Sequence, residues 1–168
     1  SYIEGESNVG AVVSVNYGLV ENCHNEAKIV ALSYDERPLD GLGGVVGCNY
    51  SGSEKAATVK DCTNSGSVLM KDDATAAYFY DTAGVVGYNN SKVIGCSNSG
   101  VAKAGIVTYN DEQGIITDCY NSGAVIGAGI NSSNYGIVSN CYNTASIESD
   151  KILVAGVVAM NSGEVENC

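Results

Sequence analysis

The stretch Ala83-Gly84-Val85-Val86-Gly87-Tyr88-Asn89, followed by Val93-Ile94-Gly95-Cys96, is one of six copies of a sequence motif in this chain. Each copy has a branched apolar opening, an asparagine, and a valine or isoleucine three positions before a cysteine. The copies end at Cys23, Cys62, Cys96, Cys119, Cys141 and Cys168. Self-similarity at a period of 20–50 residues indicates stacked structural units. The repeat therefore decides the fold class before any local propensity is considered.

The residues around each cysteine predict short strands joined by tight corners. In Cys119-Tyr-Asn121-Ser-Gly123-Ala-Val125 the cysteine, asparagine, glycine and valine share one parity, as alternation along a strand requires. The residue before each cysteine is Asn22, Asp61, Gly95, Asp118, Asn140 or Asn167. These residue types tolerate the left-handed backbone conformation of a corner. We predict an all-β, right-handed parallel β-helix of about six coils with three short strands per coil.

The first apolar position of each copy is expected to point inward. It stays apolar throughout, whereas the second position becomes Asn131 in the fifth copy. The inward set is Val12, Val45, Val85, Ile106, Ile130 and Val157. The opposite parity forms an outward strip of Val13/Val15, Val46/Cys48, Val86/Tyr88, Val107/Tyr109, Asn131/Ser133 and Val158/Met160. We expect insertions to cover part of this strip; the alternative is an open partner surface.

Unequal spacing of the repeat cysteines indicates insertions. The cysteines are separated by 39, 34, 23, 22 and 27 residues, so the bare coil has about 22. Insertions are expected at about residues 31–42, 51–57 and 70–82. The 168 residues suit one continuous domain, 1–168. Because the pattern starts and stops within the repeat, we interpret the chain as a piece of a longer secreted protein.

Composition argues against several classes of partner. The net charge is −11, which disfavours nucleic acid and anionic membrane surfaces. The longest apolar run, Ile152 to Met160, is less than half of what a bilayer span needs, so direct membrane insertion is not expected.

The repeat cysteines are expected to be structural rather than metal-binding. The chain has no Cys-x-x-Cys pair, and a zinc site needs four converging ligands. Stacked cysteines lie about 4.8 Å apart, farther than a disulfide allows between Cβ atoms. We predict a ladder of six reduced, buried thiols at Cys23, Cys62, Cys96, Cys119, Cys141 and Cys168, with no metal and no cofactor. Cys48, at an outward position, is the thiol most open to reaction.

No residue pattern predicts catalysis. The asparagine columns are most simply corner residues that bond neighbouring backbone groups. His24 is the only histidine and occupies a slot filled elsewhere by threonine, serine or tyrosine, which is typical of a surface substitution. Seven of the nineteen acidic residues fall in the three insertions, and no calcium-loop spacing is present. We therefore expect no enzymatic activity.

Tyrosines are the candidate ligand-binding residues. The chain has eleven tyrosines and no tryptophan. Tyr88 with Tyr109, and Tyr120 with Tyr142, occupy equivalent positions of adjacent coils, and Tyr78 and Tyr80 lie in the third insertion. Such columns could hold a glycan beside asparagine and aspartate. The competing interpretation is that tyrosine is a good strand former that stacks across strands.

The phrase Gly43-Gly-Val-Val-Gly-Cys-Asn49, with Ala83–Asn89 and Cys119–Val125, resembles the GLUG-type repeat of bacterial surface proteins. The resemblance covers nearly the whole chain apart from the insertions. It implies a right-handed parallel β-helix in a secreted, adhesin-like protein, or beside the catalytic domain of an IgA-cleaving peptidase. It carries over no catalytic residue.

These observations lead to three functional hypotheses. The first is a non-catalytic structural or adhesion module of a bacterial surface protein, extracellular or wall-associated. Its partners would be host or cell-wall glycan or protein, and neighbouring repeats or domains of the parent chain. The second is a carbohydrate-binding module that uses the tyrosine columns. The third is an accessory repeat domain of a secreted peptidase or glycan-degrading enzyme.

Overall fold

The computed structural model describes residues 1–32, 41–52, 55–71, 82–147 and 153–168. Within these ranges all regular structure is β-strand, arranged in five parallel sheets with no helix. The predicted all-β parallel β-helix is thus confirmed. No described segment forms a helix of the length and hydropathy that crossing a bilayer requires. The predicted insertions at 31–42, 51–57 and 70–82 contain most of the residues outside these ranges.

The five sheets are numbered in the order in which the chain first enters them. Sheet 1 contains β1 (Tyr2–Gly5), β6 (Lys28–Ala31) and β11 (Val68–Met70). Sheet 2 contains β2 (Val9–Gly10), β7 (Leu42–Gly43), β12 (Thr82–Ala83), β16 (Ala102–Ala104) and β20 (Val125–Ala128). Sheet 3 contains β3 (Val13–Asn16), β8 (Val46–Asn49), β13 (Val86–Asn89), β17 (Val107–Asn110), β21 (Asn131–Asn134) and β24 (Val158–Asn161).

Sheet 4 contains β4 (Leu19–Glu21), β9 (Thr58–Lys60), β14 (Lys92–Ile94), β18 (Ile115–Thr117), β22 (Ile137–Ser139) and β25 (Glu164–Glu166). Sheet 5 contains β5 (His24–Asn25), β10 (Thr63–Asn64), β15 (Ser97–Asn98), β19 (Tyr120–Asn121) and β23 (Tyr142–Asn143). Sheets 3 and 4 contain six strands each, one from each of six coils. The prediction of three strands per coil is too low, because the first two coils have five strands each, β2–β6 and β7–β11.

The repeat sets the register of the sheets. In sheet 3, Val86 pairs with Val46 and Val107, and Asn89 pairs with Asn49 and Asn110. Equal positions of successive copies therefore lie one strand spacing apart. Side chains of the same type therefore stack in columns along the molecule.

The predicted left-handed corners are confirmed at all six positions before a repeat cysteine. Their φ angles are 55° at Asn22, 51° at Asp61, 64° at Gly95, 56° at Asp118, and 52° at both Asn140 and Asn167. Because asparagine, aspartate and glycine have the smallest steric penalty there, the chain turns from sheet 4 to sheet 5 at the same point of the first five coils, and Asn167 occupies the equivalent position in the sixth.

The apolar interior contains both the first and the second positions of the repeat. Val45 and Val46 are fully buried and belong to one cluster with Val59 and Cys62. The carbonyl oxygen of Val85 accepts hydrogen bonds from the amides of both Val45 and Val46, at 2.9 and 3.0 Å. Two adjacent residues thus face one partner residue, as at a β-bulge, and strict alternation is interrupted.

The outward strip is therefore not an exposed surface in the central coils. Val46, Cys48, Val86 and Val107 are completely buried, and so is Asn131. The alternative of an open partner strip is wrong for these coils. The predicted outward strip assumed strict alternation of inward and outward residues along the strand. The bulge interrupts this alternation, so both adjacent residues are buried. A second, smaller cluster of Val9, Ile29, Leu42, Val68 and Ala102 lies between sheets 1 and 2.

Candidate functional site

Two asparagine ladders run along the molecule. The first stands at the end of sheet 3, where each Nδ2 donates to the Oδ1 of the next coil at 2.8 Å. Its members are Asn16, Asn49, Asn89, Asn110, Asn134 and Asn161. The second stands in sheet 5, with equivalent bonds of 2.7–2.8 Å. Its members are Asn25, Asn64, Asn98, Asn121 and Asn143.

Ten of the eleven ladder amides also donate to a backbone carbonyl at their own corner, whereas Asn49 donates to that of Lys92 in the next coil at 3.1 Å. Asn64 donates to the carbonyl oxygen of Gly66 at 2.8 Å, and Asn98 donates to that of Gly100 at 2.9 Å. The amide of Gly100 donates back to Oδ1 of Asn98 at 3.1 Å. The inner members of both ladders are buried. The predicted corner role of these asparagines is confirmed, and their hydrogen-bonding capacity is used within the fold.

The repeat cysteines form a third column. None of the seven cysteines forms a disulfide. Cys62 donates its Sγ hydrogen toward the carbonyl oxygen of Lys60 at 3.2 Å, and Cys119 does the same toward Thr117 at 3.1 Å. Burial and its thiol neighbours raise the pKa of Cys119, so this thiol stays protonated at neutral pH. A buried protonated thiol such as that of Cys119 is a poor nucleophile.

Cys48 differs from its predicted role. It is completely buried, and its Sγ lies 2.9 Å from Oδ1 of Asn8. The expectation that Cys48 is the reactive thiol is therefore wrong. Cys168 is exposed and Cys23 is partly buried, because both belong to the outermost coils.

A column of five tyrosine rings follows the edge of sheet 3. Centroid distances between neighbouring rings are 5.7, 5.2, 5.6 and 5.2 Å. The rings in order are Tyr17, Tyr50, Tyr88, Tyr109 and Tyr135. Tyr88 and Tyr109, which sequence reasoning singled out, stack at an interplanar angle of 7°. The other three were missed; their signal is that each directly follows a ladder asparagine.

Tyr88 lies at the centre of a polar cluster in this column. Its hydroxyl donates to Oδ2 of Asp111 at 2.6 Å, and Nδ2 of Asn90 donates to the same oxygen at 2.7 Å. Burial and the bond to Asp111 raise the pKa of Tyr88 above its ordinary value. Burial also acts to raise the pKa of Asp111, but the hydrogen bonds from Tyr88 and Asn90 outweigh it and lower that pKa.

The geometry of the column limits what it can bind. Sugar rings stack on the flat face of an aromatic ring, and here the inner rings turn their faces toward one another. Tyr88 is only 7% exposed. Free ring faces are left at the two ends, at Tyr17 and Tyr135. Tyr135 also lines an open groove with Glu112, Ile137 and Glu164.

Sheet 5 carries a second pair of rings. Tyr120 and Tyr142 stack at 5.4 Å with an interplanar angle of 9°. They are 40% and 53% exposed, and among the described residues they are the stacked pair in which both rings are exposed. Tyr78 and Tyr80, the remaining candidates, lie outside the described residues.

His24 has the surroundings of a surface residue. Its side chain is about half exposed, contacts Thr63, and lies 3.3 Å from a carboxylate oxygen of Glu26. Within the described ranges, no three histidine, cysteine, aspartate or glutamate side chains converge as a metal site would require.

Comparison with known proteins identifies one part of the chain. Residues 40–69, which contain β7 to β10 and most of β11, match the family model described as the GLUG motif. Searches of curated proteins and of solved structures found no match. The matched segment contains the Val45-Val46 bulge, ladder residues Asn49 and Asn64, and Cys62 of the thiol column. The chain therefore carries a GLUG motif at residues 40–69, in the second coil of a six-coil stack.

Proposed function

We propose that this chain is a non-catalytic structural or adhesion module of a bacterial cell-surface protein, outside the cell or attached to the wall. The asparagine ladders carry the proposal. Their bonds of 2.7–2.8 Å tie each coil to the next along the molecule. A rod built in this way keeps its length without metals or disulfides. The GLUG motif supports a place among surface repeat modules.

The location is tested on intact cells of the source organism. An antibody raised against residues 1–168 should label unpermeabilised cells, and brief protease treatment of those cells should remove the label. Labelling that appears only after permeabilisation would contradict the proposal. An antibody against a cytoplasmic protein serves as the control.

Adhesion is tested with beads that carry the purified chain. Coated beads should be retained on host cells or on isolated cell wall, and soluble chain should compete for the same sites. Uncoated beads and beads carrying heat-unfolded chain are the controls. Equal retention of all three would contradict an adhesive role and leave the structural role.

A second candidate function is carbohydrate binding, which the exposed Tyr120–Tyr142 pair favours. The next residues of the same strands, Asn121 and Asn143, belong to the asparagine ladder, so binding would depend on the two exposed rings. If the pair binds glycan, Tyr120→Ala or Tyr142→Ala should abolish binding on a glycan array while lowering the melting temperature little. Tyr2→Ala, which removes another exposed ring, is the matched control. Absence of binding by the wild-type chain would refute this candidate.

The third hypothesis, an accessory domain beside a secreted peptidase or glycan-degrading enzyme, rests on the resemblance alone. It adds a neighbouring catalytic domain to the same rod. The parent gene decides between this arrangement and a run of further repeats, since it encodes the flanking domains directly.

A further inference from the structure

The five-ring tyrosine column has a buried ring at its centre. Tyr88 is 7% exposed, whereas Tyr17 and Tyr135 at the two ends are 61% and 40% exposed. Neighbouring rings lie 5.2–5.7 Å apart, from centroid to centroid, along the whole column. Tyr50, Tyr88 and Tyr109 belong to the second, third and fourth coils, so the central part of the column lies inside the stack.

The spacing of the rings suits the transfer of an electron from one ring to the next. Electron tunnelling slows exponentially with the distance between the two groups, so four short steps are faster than one long step. A phenol that loses an electron also loses its proton, because the phenol radical cation is a strong acid. A ring can therefore act as a step only where its hydroxyl proton has an acceptor.

Asp111 is the proton acceptor for the central ring. The hydroxyl of Tyr88 donates to Oδ2 of Asp111 at 2.6 Å, which is within the reach that proton transfer requires. Burial acts to raise the pKa of Asp111, but the hydrogen bonds from Tyr88 and Asn90 lower it, so this carboxylate is ionised at neutral pH. Without a proton acceptor, oxidation of Tyr88 would leave an uncompensated positive charge on a buried ring, which is costly.

We propose that this column, from Tyr17 to Tyr135, conducts one-electron oxidising equivalents along the molecule, and that Tyr88 with Asp111 is its central relay. The oxidant is a peroxide-derived radical or another one-electron oxidant that meets an exposed end ring from solvent. It takes one electron from Tyr135, whose phenolic proton passes to water. A neutral phenoxyl radical is left at that end of the column.

Each transfer along the column then moves one electron and one proton. When the radical at Tyr109 takes an electron from Tyr88, Tyr109 regains a proton from water and the proton of Tyr88 passes to Oδ2 of Asp111. When Tyr88 in turn takes an electron from Tyr50, it recovers the proton from Asp111, and Tyr50 releases its own proton to water. No bond between heavy atoms forms or breaks, and every ring that has passed the radical on is restored.

The test places an oxidant at one end of the column and measures oxidation at the other. Ser162 is exposed and lines the groove beside Tyr135. Ser162→Cys, in a chain that also carries Cys23→Ser and Cys168→Ser, accepts a maleimide-linked photo-oxidant at that position. On illumination with an added electron acceptor, a biotin-phenol probe couples to exposed tyrosyl radicals, and mass spectrometry measures the labelling of each tyrosine.

Tyr17 should be labelled although it lies five strand spacings, roughly 24 Å, from position 162. Tyr2 is 58% exposed, lies outside the column and should not be labelled, so it controls for radicals that diffuse through solvent. Tyr88→Phe keeps an aromatic ring in the stack but gives one that these oxidants do not oxidise. Asp111→Asn keeps the phenol but removes its proton acceptor. Each variant should lose the labelling of Tyr17, down to the level of Tyr2.

Tyr120→Phe, in the exposed pair of sheet 5, is the matched control and should leave the labelling of Tyr17 unchanged. Asp111→Glu, which restores a carboxylate, should restore the labelling that Asp111→Asn loses. Circular dichroism establishes which variants fold, and should either Tyr88→Phe or Asp111→Asn fail to fold, the other decides. Equal labelling of Tyr17 and Tyr2 in the chain with all its tyrosines would overturn the proposal. Undiminished labelling of Tyr17 in a folded Tyr88→Phe or Asp111→Asn variant would overturn it as well.

Discussion

At the scale of single residues, backbone conformation decides where each coil turns. Five of the six corner residues before a repeat cysteine are asparagine or aspartate, and the sixth is Gly95 with φ of 64°. A Cβ at Gly95 would lie 2.4 Å from Oδ1 of Asp61 in the neighbouring coil. Both the left-handed backbone conformation and this close contact therefore disfavour a side chain at position 95.

Gly95→Ala is expected to lower the free energy of unfolding by about 1–2 kcal/mol, the cost of the left-handed conformation for an ordinary residue. Urea denaturation measures the change. Gly156→Ala is the control, because a Cβ at Gly156 would meet nothing within 4 Å. A loss of equal size at both positions would show that glycine flexibility, rather than the corner, is responsible.

Asn131 is a polar residue at a position where the other five copies of the repeat have valine. It takes the place of a valine in sheet 3, is completely buried, and its Oδ1 has no hydrogen-bond partner. Its Nδ2 donates to the carbonyl oxygens of Val107 and Thr108 at 3.0 and 3.2 Å. A buried acceptor without a donor costs about 1–3 kcal/mol.

Asn131→Val should therefore stabilise the protein by about 1 kcal/mol, because valine matches Val107 and Val158 in the same column. Thermal unfolding provides the measurement. Asn134→Val, three residues later, should have the opposite effect, since Asn134 belongs to the ladder. Destabilisation by Asn131→Val would indicate that the two bonds from Nδ2 outweigh the orphaned oxygen.

At the scale of structural elements, the ladders connect neighbouring strands more specifically than apolar packing does. Asn89 donates to Asn110 and to the carbonyl of Ser91, and it accepts from Asn49. Asn89→Ala would leave several of these buried groups unpaired. We expect it to lower the free energy of unfolding by about 2–4 kcal/mol.

The matched control is Asn161→Ala at the end of the same ladder. Asn161 is exposed, so water can replace its bonds, and the expected loss is below about 1 kcal/mol. Both variants are measured by urea denaturation. Equal losses would contradict a cooperative ladder and indicate that each asparagine acts only at its own corner.

Because of the tyrosine column, we expect the free energy of unfolding to change with pH in the alkaline range. The pKa of Tyr88 is raised in the folded protein by burial and by its bond to Asp111. The folded state thus favours the protonated phenol, a contribution that is fully present below pH of about 10 and is lost as pH rises above it. The free energy of unfolding should fall over that range in wild type. Tyr88→Phe should fall less steeply; identical slopes would contradict the assignment.

At the scale of the whole molecule, solvent reaches the thiol column only from its ends. Four ladder cysteines are buried, Cys23 is partly buried and Cys168 is exposed. A thiol reagent should label Cys168 first and Cys23 next, and should reach Cys62, Cys96, Cys119 and Cys141 only when the stack unfolds. Mass spectrometry after timed labelling measures this order. Early labelling of Cys96 would contradict a closed stack, and disulfides found under non-reducing denaturation would contradict the reduced ladder.

Much of this fold follows from sequence because each coil repeats the constraints of its neighbours. Six copies of one phrase imply stacking, and asparagine, aspartate or glycine before each cysteine implies corners of positive φ. The parallel register follows as well, since stacking like on like buries the repeat valines of the inner coils and pairs the ladder asparagines. These are local rules that hold for one coil at a time.

Other features depend on where neighbouring coils meet in space. The bulge at Val45-Val46 buries two adjacent residues, and no alternation pattern reveals it because a shared carbonyl of the next coil produces it. The ring column joins tyrosines from two different repeat positions, since side chains from neighbouring corners converge on one edge. The same contact between coils buries Cys48 and leaves the side-chain oxygen of Asn131 without a hydrogen-bond partner. The sequence alone determined the repeating coil. Which side chains are buried was decided only by the tertiary structure, because burial depends on the contacts between neighbouring coils.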